Sequence, residues 1–220
     1  FELLNMPYVG CDVVSSAISI DKVLTKLMYQ RFNFPTTKFI YFETRDWVEK
    51  KDQLVSDIKS SIPWPVFVKP ARLGSSIGIA KAKNDDELIL AIEVALHYDS
   101  KVLVEESVED LMDITVAILG NEDPIPSLIQ ESSYSKDFFS YEDKYLKEGG
   151  AQTGNAEKSI IIPARLDEKV TKEIQDMAVD IYKMMGCSGI ARVDFLYDKT
   201  FKKYYANEIN TLPGTIYHHL

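Results

Sequence analysis

Residues 189–210 read GIARVDFLYDKTFKKYYANEIN, and the fold of everything around them turns on how this stretch is read. Two runs are joined by a charged turn, and side chains along each run take opposite faces with period two, which predicts a β-hairpin. Arg192 and Asp194 then share a face. In a hairpin centred near Phe201, Asp194 lies opposite Glu208 and Arg192 opposite Asn210, with Ile190, Leu196 and Ala206 continuing that face. Two carboxylates and an amide oxygen on adjacent strands are hard oxygen donors, the kind Mg²⁺ takes beside substrate phosphates. The same residues also fit a solvated hairpin face carrying an Arg–Asp ion pair. The tight turn chemistry of NEINTLPG, residues 207–214, directly follows and favours a site.

A second stretch asks for an anion. KPARLGSSIG, residues 69–78, lies between the strand-like runs WPVFV and IAKAK. Glycines expose backbone N–H groups, Ser75 and Ser76 add hydroxyl donors, and Lys69 places a charge at the strand end, a combination suited to phosphate. It is neither the P-loop pattern, since the lysine precedes the glycines, nor G-x-G-x-x-G. A plain hairpin connection with solvated serines is the competing reading.

Between these stretches, strand-like and helix-like segments alternate without internal repeats. SIDKVLTKLMYQRF has helical spacing with Ser19 as the cap candidate, and FPTTKFIYF follows as turn and strand. NDDELILAIEVALHY is predicted helical, capped by Asn84 with Glu87 three residues on. KVLVEE is a buried strand ending in two carboxylates; DITVAIL and PIPSLIQ read as further strands. LDEKVTKEIQDMAVDIYKMMG is an amphipathic helix stopped by Gly186. Residues 131–158 form a long polar stretch with three glycines and several aromatics; loops of that length are usually functional lids or disordered, and the aromatics argue against plain disorder.

Composition narrows the partners. The 220 residues suffice for a substantial core, 45% of them are hydrophobic, and no apolar run is long enough to span a bilayer. A net charge of −9 repels nucleic acid, so none is expected as a partner. Cys11 and Cys187 lack C-x-x-C spacing and neighbouring histidines, which fits a reducing compartment and no zinc. No signal peptide is visible, and the opening FELLNMPYVGCD reads as the middle of a longer sequence.

Taken in order, the lysine-led KPxxxGSSxG loop, VLVEE, YEDKY, GIARVDF and NEINTLPG closely resemble the D-alanine:D-alanine ligase family, along the whole chain. The resemblance implies an α+β ATP-grasp fold in which two α+β subdomains sandwich ATP. It implies residues 1–18 as the end of, or linker from, a preceding domain, 19–107 as the small subdomain with the serine loop, and 108–220 as the large subdomain with the lid loop 131–158 and the metal site.

Residue roles follow from the same resemblance. Lys22 and Lys69 match the two lysines on the nucleotide phosphates, Ser75 and Ser76 the paired serines covering them, and Glu105, Glu106 and Val108 the segment that reads adenine. Phe138, Lys144 and Tyr145 match long-loop residues that pack on adenine, meet the terminal phosphate and latch onto the serine loop. Asp194, Glu208 and Asn210 coincide with ligands of Mg²⁺ or Mn²⁺, and Arg192 with the arginine at the tetrahedral intermediate. The ribose position, usually Glu, falls on Asp113, and His219 stands where many members use serine for the second substrate.

The implied activity is ADP-forming ligation of two D-alanines through an acylphosphate, for peptidoglycan precursors, in a cytoplasmic enzyme that is a homodimer when full length. D-alanine:D-serine and D-alanine:D-lactate ligases, another ATP-grasp carboxylate–amine ligase and an ATP-binding regulatory module are the alternatives. Tyr145 weighs against lactate, and Arg192 with the metal triad against a pure binder. The family's first domain would precede Phe1, leaving the chain alone able to bind ATP but short of part of the substrate site.

Overall fold

The computed structural model describes residues 1–133 and 159–213. Helix α1 spans Val13–Ile20 and α2 spans Lys22–Arg31, where the sequence predicts a single helix. The break is Asp21, extended at φ −90° and ψ 103°, whose Oδ1 accepts from the Val23 and Leu24 amides at 3.0 and 3.1 Å. Asp21 is therefore the cap of α2. Ser19, expected in that role, lies inside α1 and donates its hydroxyl to the Ser15 carbonyl.

A four-stranded antiparallel sheet follows. Its strands are β1 (Phe39–Glu43), β2 (Val66–Pro70), β3 (Ala80–Ala82) and β4 (Lys101–Glu106), in the order β1-β4-β2-β3. Helices α3 (Thr44–Ser61) and α4 (Asp85–Tyr98) lie on one face. Val66, Val68, Val102 and Val104 point to them and pack with Trp47, Ile58, Leu88, Ile92 and Ala95. Alternation sends Phe67, Lys69, Leu103 and Glu105 to the other face, where α2 contributes Val23 to a small cluster with Ala71 and Leu103. Helix α3 has no counterpart among the sequence expectations.

The second sheet runs β10-β9-β5-β7-β8, with β6 paired to the C-terminal end of β5 on the same edge as β7. These strands are β5 (Leu111–Leu119), β6 (Ile125–Pro126), β7 (Gln130–Ser133), β8 (Ser159–Ile161), β9 (Ile190–Asp198) and β10 (Lys203–Asn210). PIPSLIQ is not one strand: Ser127 Oγ accepts the Ala117 amide at 3.0 Å in place of a ladder carbonyl, and pairing resumes only at Gln130. Helix α5 (Glu168–Met184) covers one face, burying Ile174, Ala178, Ile181 and Tyr182 against Ile114, Val116, Val193 and Phe195. It stops at Gly186, whose φ of +69° only glycine adopts without strain.

With α5 on one face, Arg192, Asp194 and Leu196 of β9 and Asp113, Thr115 and Ala117 of β5 share the other. The β9–β10 hairpin pairs Asp194 with Glu208 and Arg192 with Asn210, as the sequence predicts. Leu196, however, pairs with Tyr205 rather than Ala206, because the register shifts between Ala206 and Glu208. This bulge leaves Ala206 in the α5-side core beside Phe195 while aiming Glu208 to the opposite face. The connection between α2 and β1 is tied to β10 near this point: the Ala206 amide donates to the Pro35 carbonyl at 2.8 Å, and Thr36 Oγ1 donates to the Ala206 carbonyl at 3.1 Å.

Candidate nucleotide and metal site

The free face of the small sheet carries a buried ion cluster. Glu105, 1% exposed, is bonded to Lys69 and to Lys26, the latter at 2.8 Å, and accepts from Thr37 Oγ1 at 2.8 Å. Burial opposes charge on Glu105, yet the Lys26 and Lys69 ammoniums hold its carboxyl far below the usual range. Burial likewise disfavours the Lys69 charge, but Glu105 overrides it and raises the pKa. For Lys26 burial prevails and the pKa falls. Lys26 also donates to Thr36 and Thr37. It is a residue the sequence reading missed, although it stands one helical turn from Lys22 on α2, where i, i+4 residues share a face.

Lys22 reaches the serine loop itself and donates to the Leu73 carbonyl. Burial lowers its pKa, with Glu208 pulling the other way. Within that loop Ser75 and Ser76 have φ of 54° and 60°, two consecutive left-handed residues that are not glycine. Such conformations cost on the order of 1–3 kcal/mol each and cluster at ligand clamps. Gly74, expected to free the backbone here, is not left-handed; Gly78 is, at φ 68°.

Across from the lysines lies the hairpin face. Arg192 Nε and Nη2 donate to the two oxygens of Asp194 at 2.6 and 2.7 Å, and Asn210 Nδ2 donates to Asp194 at 3.0 Å and Glu208 at 3.5 Å. Burial pushes the Asp194 carboxyl up to about 7, Arg192 lowers it, and Glu208 and Asp113 raise it further. Among the described residues no three His, Cys, Asp or Glu side chains converge on one point; the donor set is two carboxylates and an amide. Crowded carboxylates with an amide oxygen fit a hard divalent cation, which would relieve their repulsion.

The electrostatic influence of Glu208 on Lys22 and Lys69, and of Asp113 on Lys69, joins the two faces into one locus. Asp113 belongs to it by register, next along β5 from Thr115 on the site face. The segment joining the sheets borders a cavity of about 250 Å³ lined by Glu106, Ser107, Val108, Tyr205, Phe201, Asp198 and Lys203. Glu106 is partly committed, accepting the Lys38 amide at 2.9 Å. Phe138, Lys144, Tyr145 and His219 lie outside the described residues, as does the loop 131–158 beyond Ser133.

Comparison with known proteins agrees with this arrangement. The profile of the family described as D-ala D-ala ligase C-terminus matches residues 28–219. The D-alanine--D-alanine ligase of Caldicellulosiruptor bescii is 44% identical over 213 residues, covering 97% of this chain and 56% of that protein. Among solved structures, the VanG D-Ala:D-Ser ligase from Enterococcus faecalis superposes with a TM-score of 0.83 at 35% identity, over all of this chain and 60% of its own. The D-alanine-D-alanine ligase from Coxiella burnetii gives 0.76 at 34% identity, over 97% of this chain and 53% of its own. The chain thus spans little more than half the length of these relatives. Its two sheets form the ATP-grasp fold, and the chain belongs to the D-alanine–D-alanine ligase family, in the part that the family's C-terminal profile describes.

Proposed function

We propose that the protein carrying this chain is an ATP-dependent, ADP-forming ligase that joins two D-alanines for peptidoglycan precursors. The observation that carries the proposal is the meeting of two opposed sets: Lys22 and Lys69 on one side, and Asp194, Glu208, Asn210 and Arg192 on the other, electrostatically coupled through Glu208. Phosphoryl transfer asks mainly for positioning and for neutralisation of spread charge.

In this reading Lys22 and Lys69 bind the nucleotide phosphates, and the Ser75–Ser76 turn covers them. Glu106 and Val108 border adenine; Glu105, expected beside them, is buried between Lys26 and Lys69 and orients Lys69 from beneath, while Asp113 faces the ribose. Asp194, Glu208 and Asn210 would hold Mg²⁺ or Mn²⁺, and a bound cation of this type neutralises phosphate charge. A D-alanine carboxylate attacks the γ-phosphorus and ADP leaves, giving an acylphosphate. The amine of the second D-alanine then attacks the acyl carbon and phosphate leaves, while the Arg192 guanidinium stabilises the oxyanion. Phe138, Lys144 and Tyr145 are assigned to the same nucleotide from the long loop. Residues 19–107 and 108–220 serve as the two subdomains, a division supported by their separate sheets. The full-length enzyme is proposed to be a cytoplasmic homodimer; among the described residues no helix is long and apolar enough to cross a membrane.

The test is mass spectrometry of products from ATP and D-alanine with the full-length protein, expecting D-alanyl-D-alanine, ADP and phosphate. Glu208→Gln keeps the shape and removes a charge, so turnover should fall by about 10²-fold or more. Wild-type protein that makes no dipeptide, or a variant with near-normal turnover, would refute the assignment. D-serine as the second substrate is a second reading, favoured by the likeness to the VanG D-Ala:D-Ser ligase. Competition between D-alanine and D-serine separates the two.

A further inference from the structure

The serine loop leaves β2 after Pro70 and returns in β3 at Ala80; Lys22 of α2 touches its entrance, and both of its ends meet one further place, the end of α4 and the residues just beyond it. At the entrance, Asp99 accepts the Arg72 amide at 2.8 Å and the Arg72 Nε at 3.2 Å, and it also pairs with Nη2. That Nη2 donates to Ser100 Oγ at 3.0 Å as well, and the Ala71 amide donates to the Lys101 carbonyl at 3.0 Å. At the exit, a Cβ on Gly78 would come within 2.8 Å of Tyr98 Cδ2 and of Pro70 Cγ. Tyr98 therefore presses on the loop's last left-handed residue while Asp99 grips its first turn.

The grip differs from a surface ion pair. The Asp99 side chain is only 4% exposed, whereas that of Arg72 is 49% exposed, so the carboxylate sits inside the fold and fixes main chain as well as side chain. Exposed pairs elsewhere on the same helix, such as Lys59–Asp85 at its start, reach no loop backbone. Between the two anchors stand Ser75 and Ser76, whose left-handed conformations persist only where the surroundings over-determine them. The ion cluster around Glu105 meets the strand end at Lys69, and from α2 the Lys22 ammonium reaches the Leu73 carbonyl.

We propose that Tyr98 and Asp99 are positioning residues for nucleotide binding: the end of α4 clamps both roots of residues 71–79 and holds the Ser75–Ser76 turn in shape for phosphate. This inference rests on the ATP-ligase reading for its phosphate half and on the loop geometry alone for its clamp half. Neither residue is placed on the nucleotide, so they act through the loop.

The two halves are tested separately in the full-length protein with Asp99→Ala, the near-isosteric Asp99→Asn, and Tyr98→Ala; Lys59→Ala is the control. Without nucleotide, amide exchange in residues 72–79 should accelerate by about tenfold in the clamp variants and stay at the wild-type rate in the control. In steady-state assays well below each variant's Tm, KM for ATP should rise about tenfold while KM for D-alanine changes less than twofold. A merely structural role would lower Tm without splitting the two KM values. Unchanged loop exchange in Asp99→Asn and Tyr98→Ala overturns the clamp, and faster exchange with an unaltered KM for ATP overturns its role in binding. Wild-type protein that neither binds nor consumes ATP would sink the ligase reading instead, and the exchange arm would still decide the clamp.

Discussion

Glu105 has three side-chain partners and almost no contact with water, so its removal is felt by more than one neighbour. Replacing it by alanine leaves the Lys26 and Lys69 ammoniums facing each other in a buried site, and an uncompensated buried charge costs about 3–5 kcal/mol. The urea midpoint of Glu105→Ala should fall accordingly at unchanged m; a midpoint within error of wild type would mean the cluster is solvated. Cys11 offers a second test at this scale. Its thiol donates to the Ser188 carbonyl at 3.5 Å, and interaction with Cys187 lowers its pKa while burial opposes the shift. The thiolate is the nucleophile, so iodoacetamide alkylation of Cys11 should already proceed at pH values below the ordinary thiol range. Cys187, whose pKa is raised by the same contact and by burial, should stay unreacted there. Equal alkylation of both thiols across that range would contradict the pairing.

At the scale of elements, α4 carries both a cap and the loop clamp, so its two ends can be tested independently. Asn84 Oδ1 accepts the Glu87 amide at 3.0 Å, and Glu87 reaches back to the Lys83 amide at 2.9 Å, one residue before the partner a standard capping box uses. Asn84→Ala should lower stability by about 1 kcal/mol, read from chemical denaturation, whereas Asn84→Asp should lose only a fraction of that. An unchanged midpoint in Asn84→Ala would show that the first turn is held by its packing on β2 and β3 rather than by the cap. The helix start was legible because capping is local. The break at Asp21 was harder to read, since its carboxylate also receives Lys101 Nζ at 2.8 Å, a partner eighty residues away. Any sequence window around α2 omits that partner.

For the whole molecule, the suspected nucleotide contacts come from both sheets and from the segment between them, all within these 220 residues. Titration of this chain with Mg²⁺ and a non-hydrolysable ATP analogue should therefore give a binding isotherm. Dipeptide synthesis by the same 220 residues should be absent or strongly reduced beside the full-length protein. This holds if the first D-alanine is positioned by residues outside this chain, since losing that positioning forfeits an advantage that can reach about 7–11 kcal/mol. A folded sample with no heat of binding would contradict the site, and efficient dipeptide synthesis by the chain alone would contradict the proposed division of labour.

Much of this architecture was written locally in the sequence. Period-two alternation in 189–210 determined which of Arg192, Asp194, Glu208 and Asn210 share a face, and helical spacing with a glycine stop determined α5. Even there, alternation assigned Ala206 to the wrong face. A bulge is one extra residue, invisible to a periodicity that assumes none, and beside it Ala206 is bonded to the segment between α2 and β1, its amide donating to the Pro35 carbonyl and its carbonyl accepting from Thr36. The lysines were legible by type, but not their charge environment. Lys26 enters the site only because α2 folds over the free face of the small sheet, and Asp99 meets Arg72 only because β4 runs beside β2. Chemistry carried by one strand or helix could be read from its own residues; chemistry made by two distant segments needed the tertiary fold, because burial and pairing depend on what the chain brings alongside.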